Sequence, residues 1–137
     1  MPDRGFCCTL LRMKPEQHSW DSVEVERMNP LLTRQCIHTE NVTLARIVLK
    51  KGCIVPEHHH VSEQFSHILE GELKFYFGDK EFTLRPGDVL TIPSNVPHKA
   101  VAVVDTVAID AFSPPRQDWI DKDDAYLRTG SSTATSR

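Results

Sequence analysis

Two histidines separated by one residue, His58 and His60, stand in the run Gly52-Cys-Ile-Val-Pro-Glu-His58-His59-His60-Val-Ser-Glu63-Gln64. In an extended strand, alternate side chains leave the same face, so both imidazoles can share one ion at about 2.1 Å. His59 then points the other way. After a short turn at Val61-Ser62 the chain runs back and brings Gln64 or Glu63 beside the pair. A further donor comes from Val96-Pro97-His98, in a loop held stiff by prolines and an Asn-containing turn. The chemistry open to such a set is that of one divalent transition metal. Zn, Ni, Fe and Mn all accept imidazole, so the donor types do not choose among them.

A second informative stretch is Asp110-Ala-Phe112-Ser-Pro-Pro-Arg116. Asp110 ends a strand otherwise made of Thr106-Val-Ala-Ile109, where a carboxylate is costly if buried without a partner. Asp110 and Phe112 share one face of that strand. Pro114-Pro115 then stiffen the exit and hold Arg116 in place.

The elements that must position these residues are short. Runs rich in Val, Ile, Phe and Thr cover 43–50, 64–69, 73–77, 81–84, 89–92, 99–104 and 106–112. Turn signals separate them at Lys51-Gly52, Glu70-Gly71, Gly78-Asp79, Pro86-Gly87 and Pro93-Ser94-Asn95. Many short strands at close intervals indicate an all-β sandwich or barrel in a single domain. We expect an irregular N-terminal arm over 1–33, the barrel over 34–116 and a C-terminal tail over 117–137. Side-chain phase adds a hint. With His98, Gln64 and Asp110 inward, the outer faces carry Val101 and Val103, then Phe65 and Leu69, then Val107, Ile109 and Ala111. An apolar outer face asks for cover, from a second subunit in a homodimer or from the N-terminal arm.

Composition narrows the class. A chain of 137 residues with net charge −3 has no basic patch to neutralise phosphates, which argues against nucleic acid as a partner. No apolar run approaches the roughly 20 residues needed to span a bilayer, and a cytoplasmic protein acting on a small molecule is expected. The apolar stretch Phe6–Leu11 is followed by Arg12, Lys14 and Pro15 rather than a small-residue cleavage site, and Met13 is an alternative start. Cys7, Cys8, Cys36 and Cys53 form no CxxC pair and read as free thiols.

The spacing resembles the cupin family, a double-stranded β-helix or jelly-roll barrel. Its first motif, G-x5-H-x-H-x3-E-x6-G, is matched by Gly52, His58, His60, Gln64 and Gly71. Its second, G-x5-P-x-G-x2-H-x3-N, is matched by Gly87, Pro93, Asn95 and His98, with Ala102 at the last position. Asn95 in a glycine position is benign, since Asn tolerates a left-handed turn. Gln64 in the Glu position matters more. The resemblance and the strand phase favour it over Glu63 as ligand, and it makes the donor set electrically neutral. The metal charge is then uncompensated, which favours an anionic oxygen, and a base must come from elsewhere.

Together with Leu69-Glu-Gly71 and Asp110-x-Phe-Ser-Pro-Pro-Arg116, these motifs resemble the small bacterial pectin-degradation cupins, which linearise 4,5-unsaturated uronates. His67 stands where many relatives carry Tyr. The resemblance implies one metal on His58, His60, Gln64 and His98, with Asp110, Phe112 and Arg116 as the functional residues. It implies ring opening of an unsaturated sugar acid. Asp110 would move the proton, Phe112 would wall the pocket, and Arg116 would pair with the carboxylate. The alternatives are a metal-dependent dioxygenase, which needs a redox metal, and a non-catalytic cupin that only binds a small molecule.

Overall fold

The computed structural model of the chain describes residues 14–128. Ten strands form two antiparallel sheets. They are β1 (Glu26–Asn29), β2 (Leu32–His38), β3 (Thr43–Leu49), β4 (Ile54–His58), β5 (Glu63–Glu70), β6 (Leu73–Phe77), β7 (Lys80–Leu84), β8 (Val89–Ile92), β9 (His98–Ala102) and β10 (Thr106–Ser113). The six-stranded sheet has the order β1-β2-β3-β10-β5-β8, and the four-stranded sheet β4-β9-β6-β7. Two one-turn helices follow, α1 (Gln117–Ile120) and α2 (Ala125–Arg128).

Alternation decides which face is inner. Along β3 every second residue from Thr43 to Leu49 is buried, and β5 buries Gln64, Ser66 and Ile68 while exposing Glu63, Phe65, His67 and Leu69. The core between the sheets contains Leu32, Ile47, Leu49, Ile68, Leu73, Phe75, Ile92 and Phe112. Register then sets the chemistry. β10 lies between β3 and β5, with Asp110 opposite Ala45 and Ser66, and Phe112 opposite Thr43 and Gln64. In the other sheet, His58 of β4 lies opposite His98 of β9. Facing layers therefore carry the metal-type donors and the carboxylate toward one interior.

Two outer segments differ from expectation. Residues 1–33, read as an irregular arm, contain β1 and the start of β2, both part of the large sheet. Residues 117–137, read as a tail, contain α1 and α2, which bury Trp119 and Leu127 in the core. The reason lies in partners far apart along the chain. Buried Arg34 on β2 pairs with Glu26 at 2.9 Å and with Asp124 at 2.8 Å, and Asn29 Nδ2 donates to the Leu127 carbonyl at 2.8 Å. A charged residue on an inner face defeats a hydrophobicity pattern until its counter-ions are known. The start at Met13, the apolar stretch Phe6–Leu11, Cys7 and Cys8, and residues 129–137 lie outside the described residues. Cys36 and Cys53 are free thiols, and no helix among the described residues is long and apolar enough to cross a membrane.

The N-terminal segment reaches the outer face of β2, where Gln35 Nε2 donates to the carbonyls of Trp20 at 2.6 Å and Val23 at 2.9 Å. Farther along the same face Phe65, Leu69 and Val89 are exposed.

Turn residues hold the register at the strand ends. Asn95 adopts φ 63°, the left-handed conformation expected of it. At Gly71 φ is 92°, and a Cβ there would lie 2.2 Å from the Asp105 carbonyl oxygen. Gly87 has a similar φ of 94° but open space around it. Gly71→Ala therefore meets backbone as well as strain, and should cost on the order of 3 kcal/mol or more. Gly87→Ala should cost about 1 kcal/mol, from the conformation alone. Thermal unfolding of the two variants checks this. Equal shifts in Tm would show that the Asp105 contact does not constrain the fold.

Candidate metal centre and catalytic pocket

His58 closes β4, His98 opens β9, and Gln64 lies on β5 in the opposite sheet. His60 is in the connection between β4 and β5, because β4 ends at His58. The expectation of one continuous strand through both histidines is thus corrected. A register irregularity between Val55 and His58 redirects the chain, and His60 reaches the same point from a loop. The nearest ring nitrogens of His58, His60 and His98 all lie within 4.8 Å of one another. His59 is exposed, as expected. Glu63 is exposed and Gln64 buried, so the structure puts Gln64 on the side of the histidines.

Hydrogen bonds fix which nitrogens face inward. His58 Nδ1 lies 2.9 Å from the Pro56 carbonyl, His60 Nδ1 2.9 Å from the Ser62 carbonyl, and His98 Nδ1 2.8 Å from the Val96 carbonyl. A carbonyl can only accept, so each Nδ1 carries the proton and each Nε2 keeps its lone pair. This arrangement orients metal-binding imidazoles. Burial, reinforced by the neighbouring His98 ring, pulls His58 down to about 3, and burial with the charge of Arg116 pulls His60 down to about 4. His98 is also shifted down by burial. The rings are neutral at physiological pH, the state a metal requires.

Two contacts test whether these residues fit an ion. His98 Nε2 is buried with no hydrogen-bond partner. His60 Nε2 sits 3.0 Å from Gln64 Oε1. With the His60 proton on Nδ1, these are two lone pairs facing each other. Two donors at right angles about one ion, each at about 2.1 Å, lie about 3.0 Å apart. The amide is turned this way because Gln64 Nε2 donates to Ser66 Oγ at 2.9 Å and approaches Asp110 Oδ2 at 3.5 Å. The residues present fit a divalent cation.

The cavity behind these donors is lined by Leu73, Phe75, Phe112 and Trp119, with Asp110, Arg116 and Tyr126 as polar groups. Asp110 Oδ1 is buried and has no partner among the described residues. Burial pushes the Asp110 carboxyl up to about 7, against the opposing effects of the Ser66 hydroxyl and the Arg116 charge. A carboxyl in that range can both take and return a proton near neutrality. Phe112 stands edge-on to His60, with ring centres 5.6 Å apart.

Arg116 is brought to the same cavity, but its guanidinium is not free. Nε and Nη2 donate to the two carboxylate oxygens of Asp118 at 3.0 and 2.8 Å, and Nη2 also donates to the Tyr126 hydroxyl at 2.7 Å. The sequence reading missed Asp118 and Tyr126. Asp118 stands two residues past Arg116, a spacing that gives no signal by itself, and Tyr126 lay in a segment read as a tail. Two clefts lead in from the surface beside His59, and Asp118 borders both.

Residues 45–110 match the cupin domain family model, and the two facing antiparallel sheets are its jelly-roll fold. Among solved structures, an RmlC-like cupin from Shewanella frigidimarina is 28% identical with a TM-score of 0.72, over 77% of this chain and 96% of its own. KdgF from a Halomonas species is 26% identical with a TM-score of 0.67, over 72% of this chain and 94% of its own. Among curated proteins, the 3-hydroxyanthranilate 3,4-dioxygenase of Meyerozyma guilliermondii is 26% identical over 97 residues, 66% of this chain. The chain spans about half the length of that relative, 56%.

Purified protein should contain about one equivalent of divalent metal. His98→Ala, which removes a donor from the buried end of the set, should lose most of it, and His59→Ala should keep it. Elemental analysis decides, and metal loss from the His59 variant would reject this donor set.

Proposed function

We propose that this cupin-fold protein is a metal-dependent enzyme that opens and ketonises 4,5-unsaturated uronate monosaccharides, with Asp110 as the acid/base. The observation that carries the reading is the unpartnered Asp110 Oδ1, buried beside the Gln64 amide in the cavity that also holds an unpartnered His98 Nε2. One carboxylate oxygen without a partner and one imidazole nitrogen without a partner belong to residues that line the same cavity. An unsaturated uronate is a cyclic hemiacetal whose ring oxygen is also the oxygen of an enol ether. A divalent ion held by His58, His60, Gln64 and His98 would supply electrophilic stabilisation of a developing oxyanion. Asp110 would take the proton of the anomeric hydroxyl as the bond from C1 to the ring oxygen breaks, leaving an aldehyde and an enolate. Asp110 would then return the proton to C4, giving the 5-keto product with no net gain or loss of atoms. Phe112 would pack against the sugar and keep water from the enolate. Arg116 would attract the carboxylate, sharing or exchanging its bond to Asp118. The similarity to KdgF supports this family of reactions.

A second reading, an oxygen-dependent ring-cleaving enzyme, is favoured by the similarity to a curated dioxygenase and by the aromatic lining of the cavity. It differs in needing a redox metal and in consuming O2. For either reaction, we propose a homodimer in which the second copy covers the apolar outer face at Phe65, Leu69 and Val89. Light scattering on the eluting protein should give twice the mass of one chain, and a monomer at micromolar concentration would reject it.

The reaction can be followed through loss of the near-ultraviolet absorbance of the C4=C5 bond. Asp110→Asn preserves shape and should cut kcat by about 10²–10⁴-fold while metal content stays normal. If wild-type, metal-replete protein leaves the absorbance of galacturonate- and mannuronate-derived substrates untouched, the uronate reaction is wrong. Oxygen uptake with hydroxylated aromatic acids would then test the second reading.

A further inference from the structure

Tyr126 lies on α2, outside the motifs that define the metal centre, yet its side chain lines the same cavity as His58, His98 and Asp110. Its ring stands beside the His58 ring, with centres 4.8 Å apart. Its phenol oxygen accepts from Arg116 Nη2 at 2.7 Å and from Trp119 Nε1 at 3.4 Å. A phenol has one proton to give and limited capacity to accept. With two N–H groups directed at the oxygen, its remaining role is to donate, and its proton finds no acceptor among the described residues. The neighbouring guanidinium polarises the O–H bond in the direction that strengthens donation.

A partly buried, oriented donor with no acceptor is unfavourable unless something completes it. Trp119 and Arg116 hold the oxygen from the core side. Arg116 also stacks over the Trp119 ring at 4.2 Å, so the two donors that hold the phenol oxygen are packed against each other. We propose that Tyr126 is the hydrogen-bond donor to an oxygen of the small acid that binds beside the metal donors, so that α2 completes the site. The inference rests on the metal-dependent reading above and does not require the uronate reaction. It makes the C-terminal segment part of the binding machinery. It also predicts that ligands bearing an oxygen next to their metal-binding group are preferred over those without one.

The test uses the full chain loaded with Co(II), with its ligand-field absorption as readout and glycolate as probe. Tyr126→Phe keeps the ring against His58 and removes only the hydroxyl. It should bind glycolate about tenfold more weakly than wild type, with unchanged Co(II) content and unchanged Tm. Tyr76→Phe, which removes only the hydroxyl from a ring on β6 that Lys99 Nζ faces at 5.2 Å, should bind as wild type does. Equal glycolate affinity in wild type and Tyr126→Phe overturns the proposal while leaving the metal centre standing. So does a weakening matched by a lowered Tm, or a wild-type spectrum that glycolate leaves unchanged. A wild-type protein that takes up no Co(II) fails at the metal reading itself and removes the proposal with it.

Discussion

Three imidazole lone pairs converge between the sheets, with the Gln64 amide oxygen beside one of them, and the rest of the site is arranged around that convergence. Each ring is locked by a proton on Nδ1 bonded to a carbonyl of its own segment, from Pro56, Ser62 and Val96. The locking bonds are local, two residues away in sequence, so each loop arrives with its histidine already oriented. Bringing them together creates mutual repulsion that no protein group relieves: His98 Nε2 has no partner, and His60 Nε2 faces another acceptor. A cation would relieve both at once.

The neutral donor set shifts the electrostatic work outward. A carboxylate in place of Gln64 would offset half the ionic charge of a divalent cation and serve as an acid/base group next to it. Here the amide cannot, and a buried carboxyl group comes instead from Asp110 on the neighbouring strand β10, across from Ser66, with Oδ2 3.5 Å from Gln64 Nε2. Gln64 links the two, offering its oxygen toward the histidines and its nitrogen toward Ser66 and Asp110. One side chain thus bridges the histidine cluster and the buried carboxyl group. Burial does the remaining tuning, lowering the imidazoles and raising the carboxyl by the same cause, the cost of charge away from water.

A second charge system lies against the same cavity, on the other side of the Trp119 contact with Arg116. Arg34 lies over the Trp119 ring at 4.4 Å and is held by Glu26 and Asp124, while Arg128 bonds Asp124 from α2. Ion pairs in such a setting add little net stability compared with apolar packing, but removing one partner is costly, about 3–5 kcal/mol. Their consequence here is specific: they seat α1 and α2 so that Trp119, Tyr126 and Arg116 complete the pocket wall. Asp118 borders both surface clefts and is bound to Arg116.

Much of this was legible in the sequence. Seven strands from Thr43 onward follow from alternation and turn residues, because a half-buried strand must write its two faces into successive positions. The inward phase of Gln64, Asp110 and His98, and the outward phase of Phe65 and His67, follow from the same rule. The motif spacing brought His58, His60 and His98 together before any fold was known. Tertiary structure alone decided the rest. It ended β4 at His58 and brought His60 in from a loop, since a bulge leaves no mark on local composition. It turned residues 26–33 and 117–128 from arm and tail into sheet and pocket wall, because Arg34 and Asp124 make sense only as a pair. It also engaged Arg116 with Asp118 and Tyr126, because a guanidinium bonds whatever acceptors the packing brings to it, and spacing along a chain does not say which those are.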